Sequence, residues 1–552
     1  PARATRNPTP GRPAWTRTAA LLQAAAGPIS REDLPMPAEG GANASDNFDV
    51  VIVGGGNAAF CAALAAEEQG ARVVVLERAP EDESGGNTRF TAGAIRFTYN
   101  GVEDLREVMP DLTDAEVAGS DFGTYTEDQF FDDMFRVTRN RTHPELCEIL
   151  VRRSFETMKW LRGKGVRFQP IWGRQAFKVD GKFKFWGGLT VEAWGGGPGL
   201  VEAETEAARK RGVEVRYGSR ATRLLHDGFK VHGVEVKDRG RIYELRAPAV
   251  VLAAGGFQGD AEMRTRYLGP GWELAKVRGT RFNTGDGIKM ALAVGASPFG
   301  NWSGCHAVQW DFNAPEYGDL AVGDAFQKHS YPWSVLINAD GRRFLDEGAD
   351  FRNYTYAKYG RVVLEQPGNF AWQVFDRKVV HVLRDEYRIR QVTKVKADTL
   401  DELAEKLEGV DGAAFLDEIR RYNEAVRTDI PFNPNVKDGR RTEGLPINKS
   451  NWANTVDEPP FEAYQVGCGI TFTFGGLRID TEARVLDADQ APIPGLYACG
   501  ELVGGIFYFN YPGGSGLING AVFGRVAGAT AVADARSNAG GGAAPPPVAA
   551  AE

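Results

Sequence analysis

The sequence predicts an α/β fold: a parallel sheet wrapped by helices, interrupted by an inserted α+β segment. Three observations predict it. Residues 49–77, DVVIVGGGNAAFCAALAAEEQGARVVVLE, read strand, glycine turn, helix, strand. A second apolar strand, APAVVLAAGGF, runs into the pair Gly255-Gly256. Between about residues 300 and 455 the glycine runs thin out while aromatics and charges increase, and glycine-rich texture then returns.

In the first unit, the apolar run Val50–Val53 is what a strand buried on both faces requires. The turn Gly54-Gly55-Gly56-Asn57-Ala58-Ala59 fits G-x-G-x-x-A. Gly54 permits a tight turn, Gly56 lets backbone approach a pyrophosphate, and Ala59 lets the helix close on the strand. Asn57 and Ala58 open that helix, whose free N–H groups and partial positive charge suit phosphate. Glu77 ends the next strand about 20 residues on, where a ribose hydroxyl needs an acceptor, and Arg78 adjoins it. The whole unit points to Rossmann-like dinucleotide binding; a glycine turn alone would not.

At 552 residues the chain exceeds one hydrophobic core, so two or more domains are expected. Hydrophobic content of 43% with 25% charge suits a soluble globular protein. A net charge of −8, without a basic aromatic stripe, argues against nucleic acid as a partner. Cys61, Cys147, Cys305, Cys468 and Cys499 form no C-x-x-C pattern, so no haem, cluster or zinc framework is expected and no metal site is assigned. Their scatter suits a reducing compartment, and the expected location is cytoplasmic. No uninterrupted apolar run reaches the ~18 residues of a membrane span. Residues 1–30 hold four arginines and no acid; a targeting peptide is one reading and a disordered tail the favoured one.

The order of elements is then as follows. A tail covers 1–48. The dinucleotide domain begins at 49 and runs to 300 as its first part. Within it, Ser84-Gly85-Gly86-Asn87-Thr88 forms a glycine loop, and 127–162 reads as helical, with Thr142 capping a helix opened by His143-Pro144. Gly195 and Gly197 mimic a second fingerprint, but no convincing apolar strand precedes them, so a second dinucleotide site is rejected. A strand is expected at Val213–Tyr217, then a meander turning at Asp227-Gly228. Residues 281–296 read as a glycine turn into a helix. The inserted segment covers 301–455, with helices at 399–408 and 412–427. The second part of the dinucleotide domain covers 456–536, and a disordered tail 537–552.

The blocks VIVGGGNAA, GGNTRFTAG, VVLAAGGF, NTGDGIKMA, GRRFLDE and IPGLYACGE…FGRVAG, in this order, resemble the fumarate reductase and succinate dehydrogenase flavoprotein superfamily. RGTRFN, FLDEGADFRNYTYAKYGR, RTEGLPINKSNWA and GITFTFGGL are similar to the tricarballylate dehydrogenase subgroup. The resemblance implies FAD as the dinucleotide, a capping domain over it, and hydride exchange with flavin N5. Asn87 and Thr88 stand where succinate dehydrogenases carry the histidine bonded to flavin, so non-covalent FAD is expected. Gly85, Gly86, Asn87 and Thr88 resemble the loop over pyrophosphate and flavin. Ala254 and Gly255 in VVLAAGGF, and Gly500 and Glu501 in YACGE, resemble further FAD contacts. Gly514, Ser515 and Leu517, at a predicted helix start, are candidates for backbone contacts that stabilise negative charge on the reduced ring.

For catalysis, His306 aligns with the family histidine that binds a substrate carboxylate, although Ala307-Val308 replaces the Pro-Thr that follows it. Arg352 resembles the proton-shuttling arginine after one inserted residue; an ungapped count reaches Phe351. The upstream relay positions read Gln327 and Ser330, so that relay is absent or rebuilt. Phe472 replaces a substrate-binding histidine and Tyr511 a substrate-clamping arginine. Tyr511-Pro512-Gly513 instead resembles the Tyr-Pro-Gly of 3-ketosteroid Δ1-dehydrogenases, and Ile506, Phe507, Tyr508 and Phe509 suggest a partly apolar wall.

Three readings follow. The first is an FAD dehydrogenase acting on a CH–CH bond next to a carboxylate or ketone, tricarballylate dehydrogenase-like, with His306, Arg352 and Tyr511 binding substrate and exchanging protons. The second keeps the flavin but takes a cyclic ketone, with Tyr511 as the chemical residue. The third is a flavin redox partner without small-molecule turnover. With one nucleotide fingerprint and no haem or cluster motif, no NADPH domain is expected, and electrons pass to a separate quinone or redox protein.

Overall fold

The computed structural model describes residues 47–185 and 188–540. The tails expected before residue 47 and after 540 lie outside the described residues. The main sheet has six strands in the order Arg484–Leu486, Pro492–Ala498, Ala249–Leu252, Val50–Val53, Val73–Leu76, Glu214–Arg216. Its pairings are parallel except for Arg484–Leu486, an antiparallel edge. All four residues of Val50–Val53, Val73–Leu76 and Ala249–Leu252 are buried, as their unbroken apolar runs require. The glycine turn leaves the carboxyl end of the central strand, where open α/β sheets bind ligands.

Two helices close over this sheet. Asn57–Glu68 is short-sided, rich in alanine, and Ser515–Gly540 packs on it. The contact depends on glycines spaced by four: a Cβ at Gly524 would stand 2.6 Å from the Ala58 carbonyl oxygen, and one at Gly528 only 2.1 Å from that of Ala62. The segment Ser515–Ser537 is long and apolar enough to cross a membrane by length and composition, but most of it is buried inside the protein.

The helical stretch expected at 127–162 is two helices, Glu127–Val137 and Pro144–Gly163. Arg139 and Asn140, both at positive φ, break the run between them. His143, not Thr142, takes the N-cap position; the Thr142 hydroxyl instead donates to the Ile506 carbonyl at 2.8 Å. The meander carries a third strand that the sequence reading missed, Arg241–Arg246 after Ser219–His226 and Val231–Asp238. Gly197 lies against the 86–90 turn, where a Cβ would stand 2.0 Å from the Thr88 carbonyl oxygen. Close packing, not a second phosphate site, is thus what the Gly195–Gly197 run provides.

A second sheet is centred on one long strand, Phe461–Leu477. It pairs antiparallel with Pro298–Asp311, Ala371–Phe375 and Lys394–Ala397, and parallel with Lys276–Val277. The helices expected in the inserted segment are Leu400–Lys406 and Gly412–Ala425. Pro298–Asp311 and Phe461–Leu477 run from this sheet back toward the main one, and their register shifts between His306 and Ala307, paired with Phe472 and Ile470. Thr471 is the bulged residue.

The glycine stripe gives a test in which two effects oppose. Gly528→Ala should gain about 0.5–1 kcal/mol of helix propensity, but overpacking at 2.1 Å costs about 1–3 kcal/mol. The variant is expected to unfold several degrees below wild type in a thermal melt of the flavin-loaded protein. A higher midpoint would show that the helices separate freely.

Candidate active site

The glycine turn is built for close approach. Gly54 has φ of 117°, and a Cβ there would stand 2.3 Å from the Ala253 carbonyl oxygen. Gly56 offers no side-chain cap to the helix Asn57–Glu68, which leaves its amino end available to an anion. The Asn57 N–H donates to the Thr88 hydroxyl at 3.1 Å, and the Asn57 amide donates to the Leu517 carbonyl at 2.8 Å. Three separate segments thereby meet at the first turn of one helix. The Glu77 carboxylate accepts the Ala79 N–H at 2.6 Å, and burial raises its pKa. Arg78 pairs with Asp286 at 3.0 Å.

The 86–90 loop is fixed through Asn87. Its side-chain nitrogen donates to the Thr471 carbonyl at 2.5 Å and its oxygen accepts the Thr280 N–H at 3.0 Å. Glu501 accepts the Thr473 N–H at 3.0 Å and the Gln258 and Asn283 amides at 3.3 Å each. Burial nevertheless pushes its carboxyl up to about 7. At the start of the last helix, Arg96 donates from Nε to the Gly513 carbonyl at 2.8 Å, and its N–H to that of Gly514 at 3.1 Å.

These segments surround one cavity. Gly54, Gly56, Asn57, Ala58, Glu77, Arg78, Gly86, Asn87, Thr88, Ala254, Gly255, Gly500, Glu501, Gly514 and Leu517 all line it. Gly85 and Ser515 are not among its lining residues. Gly85, at φ 101°, packs against Val201. Ser515 spends both its hydroxyl and its N–H on the Pro512 carbonyl, at 2.6 and 3.1 Å. A cradle with bare glycine backbone, a helix amino end and a buried carboxylate can hold a dinucleotide, so the residues present fit FAD.

The same cavity receives His306, Arg352 and Tyr511. The bulge at Thr471 sets His306 beside Phe472, ring centroids 5.3 Å apart. Tyr511 packs on both, at 4.7 Å from His306 and 5.1 Å from Phe472, and shares a short hydrogen bond with the Tyr356 hydroxyl. Of the four residues expected as an apolar wall, Phe507 lines the cavity, and Phe509 is 43% exposed. Burial, then the Arg278 charge, keeps His306 well below its ordinary pKa, and burial raises both tyrosines. At neutral pH this end therefore presents a neutral imidazole and two neutral phenols.

The cationic end came largely from residues that the sequence reading missed. Asp324 takes Arg278 Nε at 2.8 Å and Arg174 Nη1 at 2.7 Å, and Arg278 Nη1 donates to the Thr471 hydroxyl at 3.1 Å. Arg352 donates from Nη2 to the Arg174 carbonyl at 2.7 Å and to the Gln175 side-chain oxygen at 2.9 Å. Its Nη1 lies 3.3 Å from Nδ1 of His329, which is 2% exposed. The lining arginines Arg78, Arg174, Arg220 and Arg278 each have a carboxylate partner; Arg352 has none among the described residues. Arg352 Nε, both His306 nitrogens, Gln175 Nε2 and His329 Nε2 are buried with no protein partner. Such a set of unmet donors and acceptors in one place marks where a polar ligand fits. His329 stands between Gln327 and Ser330, the two residues at the family relay positions, and no motif around it singles it out.

The family model described as "FAD binding domain" matches residues 49–518. The fumarate reductase (cytochrome) of Shewanella frigidimarina is 28% identical over 497 residues, covering 89% of this chain and 78% of its own. The 3-oxosteroid 1-dehydrogenase of Mycolicibacterium smegmatis is 27% identical over 558 residues, covering 85% of this chain and 94% of its own. The solved open conformation of a flavocytochrome c3 fumarate reductase aligns with a TM-score of 0.67 at 26% identity, over 89% of this chain and 79% of that one.

Glu501 supplies a pH test. Its folded pKa, about 7, lies above the ordinary value of 4.5, so folding favours the protonated acid. The stability it contributes is complete below pH 4.5 and is lost as pH rises through about 7, by up to about 3 kcal/mol. Denaturant unfolding of the flavin-free protein from pH 4 to 8 should show wild type falling relative to Glu501→Gln across this window. A difference between them that does not change with pH would mean that folding leaves the carboxyl's pKa unshifted.

Proposed function

The chain belongs to the FAD-binding-domain family of fumarate reductase and succinate dehydrogenase flavoproteins, and from that premise we propose that it exchanges hydride across a carbon–carbon bond next to a single carboxylate, in a substrate whose remainder is apolar. It is an FAD-dependent oxidoreductase acting on CH–CH bonds. FAD, when bound, supplies or accepts the hydride; Gly54, Gly56, Asn57 and Glu77 would hold its ADP half, and Gly86, Asn87, Thr88, Gly514 and Leu517 its ring end.

The observation that carries this reading is that Arg352, alone of the described arginines lining the cavity, forms no ion pair with a carboxylate. Arg352 balances one negative charge, and Arg174 and Arg278 are already spent on Asp324. A tricarballylate-like substrate brings three carboxylates; His306 and the tyrosine pair can serve one, and the rings of Phe472 and Phe507 offer the others nothing. A monocarboxylate is therefore favoured over a tricarboxylate. In this reading His306 and the Tyr356–Tyr511 pair donate to the carboxylate oxygens. Arg352 Nη1 holds the proton exchanged at the carbon next to the acid, and the aromatic wall excludes water from the reacting bond.

The paired tyrosine hydroxyls support a second reading, in which they polarise the carbonyl of a cyclic ketone. In either case the electrons cross to a separate quinone or redox protein. The relative from Shewanella is named for a cytochrome. Non-covalent binding of FAD is part of the proposal, since the 84–90 loop carries no histidine.

A panel separates these readings. Reduced protein, mixed anaerobically with cinnamate, aconitate, fumarate or 2-cyclohexenone, is followed by the return of flavin absorbance. Reoxidation by cinnamate well ahead of the polycarboxylates is expected; reoxidation by cyclohexenone alone would establish the ketone reading instead. Arg352→Gln should retain FAD and lose at least about 100-fold in kcat. Wild-type turnover by that variant would remove Arg352 from the chemistry.

A further inference from the structure

His329 is the most buried histidine that the proposed function leaves unused, and it stands at a partition. A second, small cavity lies behind it, lined by Arg352, Arg384, Phe351, Trp333 and Trp452 among others. His329 and Arg352 line both cavities, so these two side chains separate the substrate chamber from the smaller one. The smaller one has a volume of about 10 Å³, room for about one water molecule. Phe351, Trp333 and Arg384 are only partly buried, so this chamber lies on the solvent side of the partition. A water there would have the polar partners that an ordered site needs in Arg352, Arg384 and His329.

We propose that His329 passes the reaction proton between Arg352 and water in the second cavity. This rests on the reading that Arg352 exchanges the proton at the substrate carbon. In the reducing direction, that carbon forms its C–H bond with a proton from Arg352 Nη1. Arg352 Nη1 recovers a proton from His329 Nδ1, the atom 3.3 Å away. His329 Nε2, which has no protein partner, takes one from the water in the same step, so the ring stays neutral, and tautomer exchange through that water returns a proton to Nδ1 before the next turnover, solvent making good the proton used. The electron pair arrives with the hydride at the neighbouring carbon, so each turnover draws one proton through the partition. The oxidising direction reverses every transfer. Around the imidazole stand Arg352, Arg278, Arg384 and Arg174, and the ring of Tyr356 packs edge-on at 4.9 Å. Burial and these four positive charges hold His329 neutral, so it takes up one proton only as it gives up another.

The test uses the flavin-loaded enzyme, reduced methyl viologen, and whichever of cinnamate, fumarate or 2-cyclohexenone reoxidises the flavin. His329→Gln should lower kcat about 100-fold with KM changed less than about threefold. Its flavin should still be reduced by dithionite at the wild-type rate. Imidazole added to His329→Gly should restore at least about tenfold of the lost kcat, which a merely structural role would not allow. A kcat within about threefold of wild type, or a raised KM with kcat unchanged, overturns the relay. Should both histidine variants fail to hold flavin, Phe351→Trp fills the second cavity from its far side. A lower kcat with a larger solvent deuterium isotope effect supports the relay, and wild-type values of both overturn it. Arg352→Gln keeps the two ideas apart: if it turns over normally, the reading of Arg352 fails; if it is dead while His329→Gln is normal, only the relay fails.

Discussion

Thr471 has no opposite residue on Pro298–Asp311, because the pairing slips by one between His306 and Ala307. A bulge exposes backbone and side-chain groups that a regular ladder would consume, and it re-aims the residues on either side. Here the freed carbonyl receives Asn87 and the hydroxyl receives Arg278. The loop at 86–90 and the segment around 278 thus lock onto one residue. On one side of the bulge, His306 and Phe472 face the substrate end. On the other, Thr473 donates to Glu501 at the cradle end. A register slip of a single residue would turn His306 and Phe472 to the other face of the sheet and abolish both arrangements.

Charge is organised with the same economy. Arg174, Arg278 and Asp324 form a closed group in which one carboxylate serves two guanidinium groups. Arg352 stands outside it, held by a carbonyl, an amide oxygen and an imidazole, all neutral. Removing a guanidinium charge from water without an ionic partner is costly. Arg264 bears a like cost elsewhere in the fold, met by four backbone carbonyls; what sets Arg352 apart is that it bears the cost at the wall of a ligand cavity, where a substrate can be the missing partner. Burial accordingly lowers the Arg352 pKa, and this eases the release of a proton from a group that otherwise holds it tightly.

The cradle was legible in the sequence because it is local. Strand, turn, helix and acid fall within Asp49–Glu77, and each has a spacing with a physical reason. Gly85 and Ser515, expected as cofactor contacts, fall outside the cavity lining, because neighbours in a glycine-rich run look alike in sequence while the backbone turns these two toward Val201 and Pro512. Arg352, Tyr511 and His306 could be named only through resemblance; nothing in their own flanks distinguishes them. His329, Tyr356 and Asp324 were not named at all. Their roles exist only once strands more than a hundred residues apart are paired, and a one-residue bulge leaves no periodic mark in the sequence. The helix start at Pro144 was legible, but where the preceding helix stops was not: positive φ at Arg139 and Asn140, two non-glycine residues, overrides good helical propensity on both sides.

The neutral end of the cavity has a consequence for how the site balances charge during turnover. Two imidazoles and two phenols stay uncharged, the imidazoles depressed and the phenols raised, both chiefly by burial. Around ordinary pH they neither gain nor lose protons with the bulk. A substrate that is reduced takes up one proton and one hydride, so its own charge does not change, while the chamber is left one proton short until that proton is replaced. Among the described lining residues, Asp286 and Asp324 are tied to arginines, and Glu77 and Glu501 are engaged at the cradle end, away from the substrate end. Replacement must come from outside, through a group that can accept on one side and donate on the other. Imidazole has that geometry and arginine alone does not. On the proposed reading the aromatic wall keeps water from the reacting bond, which leaves the rear partition as the place where proton supply is decided.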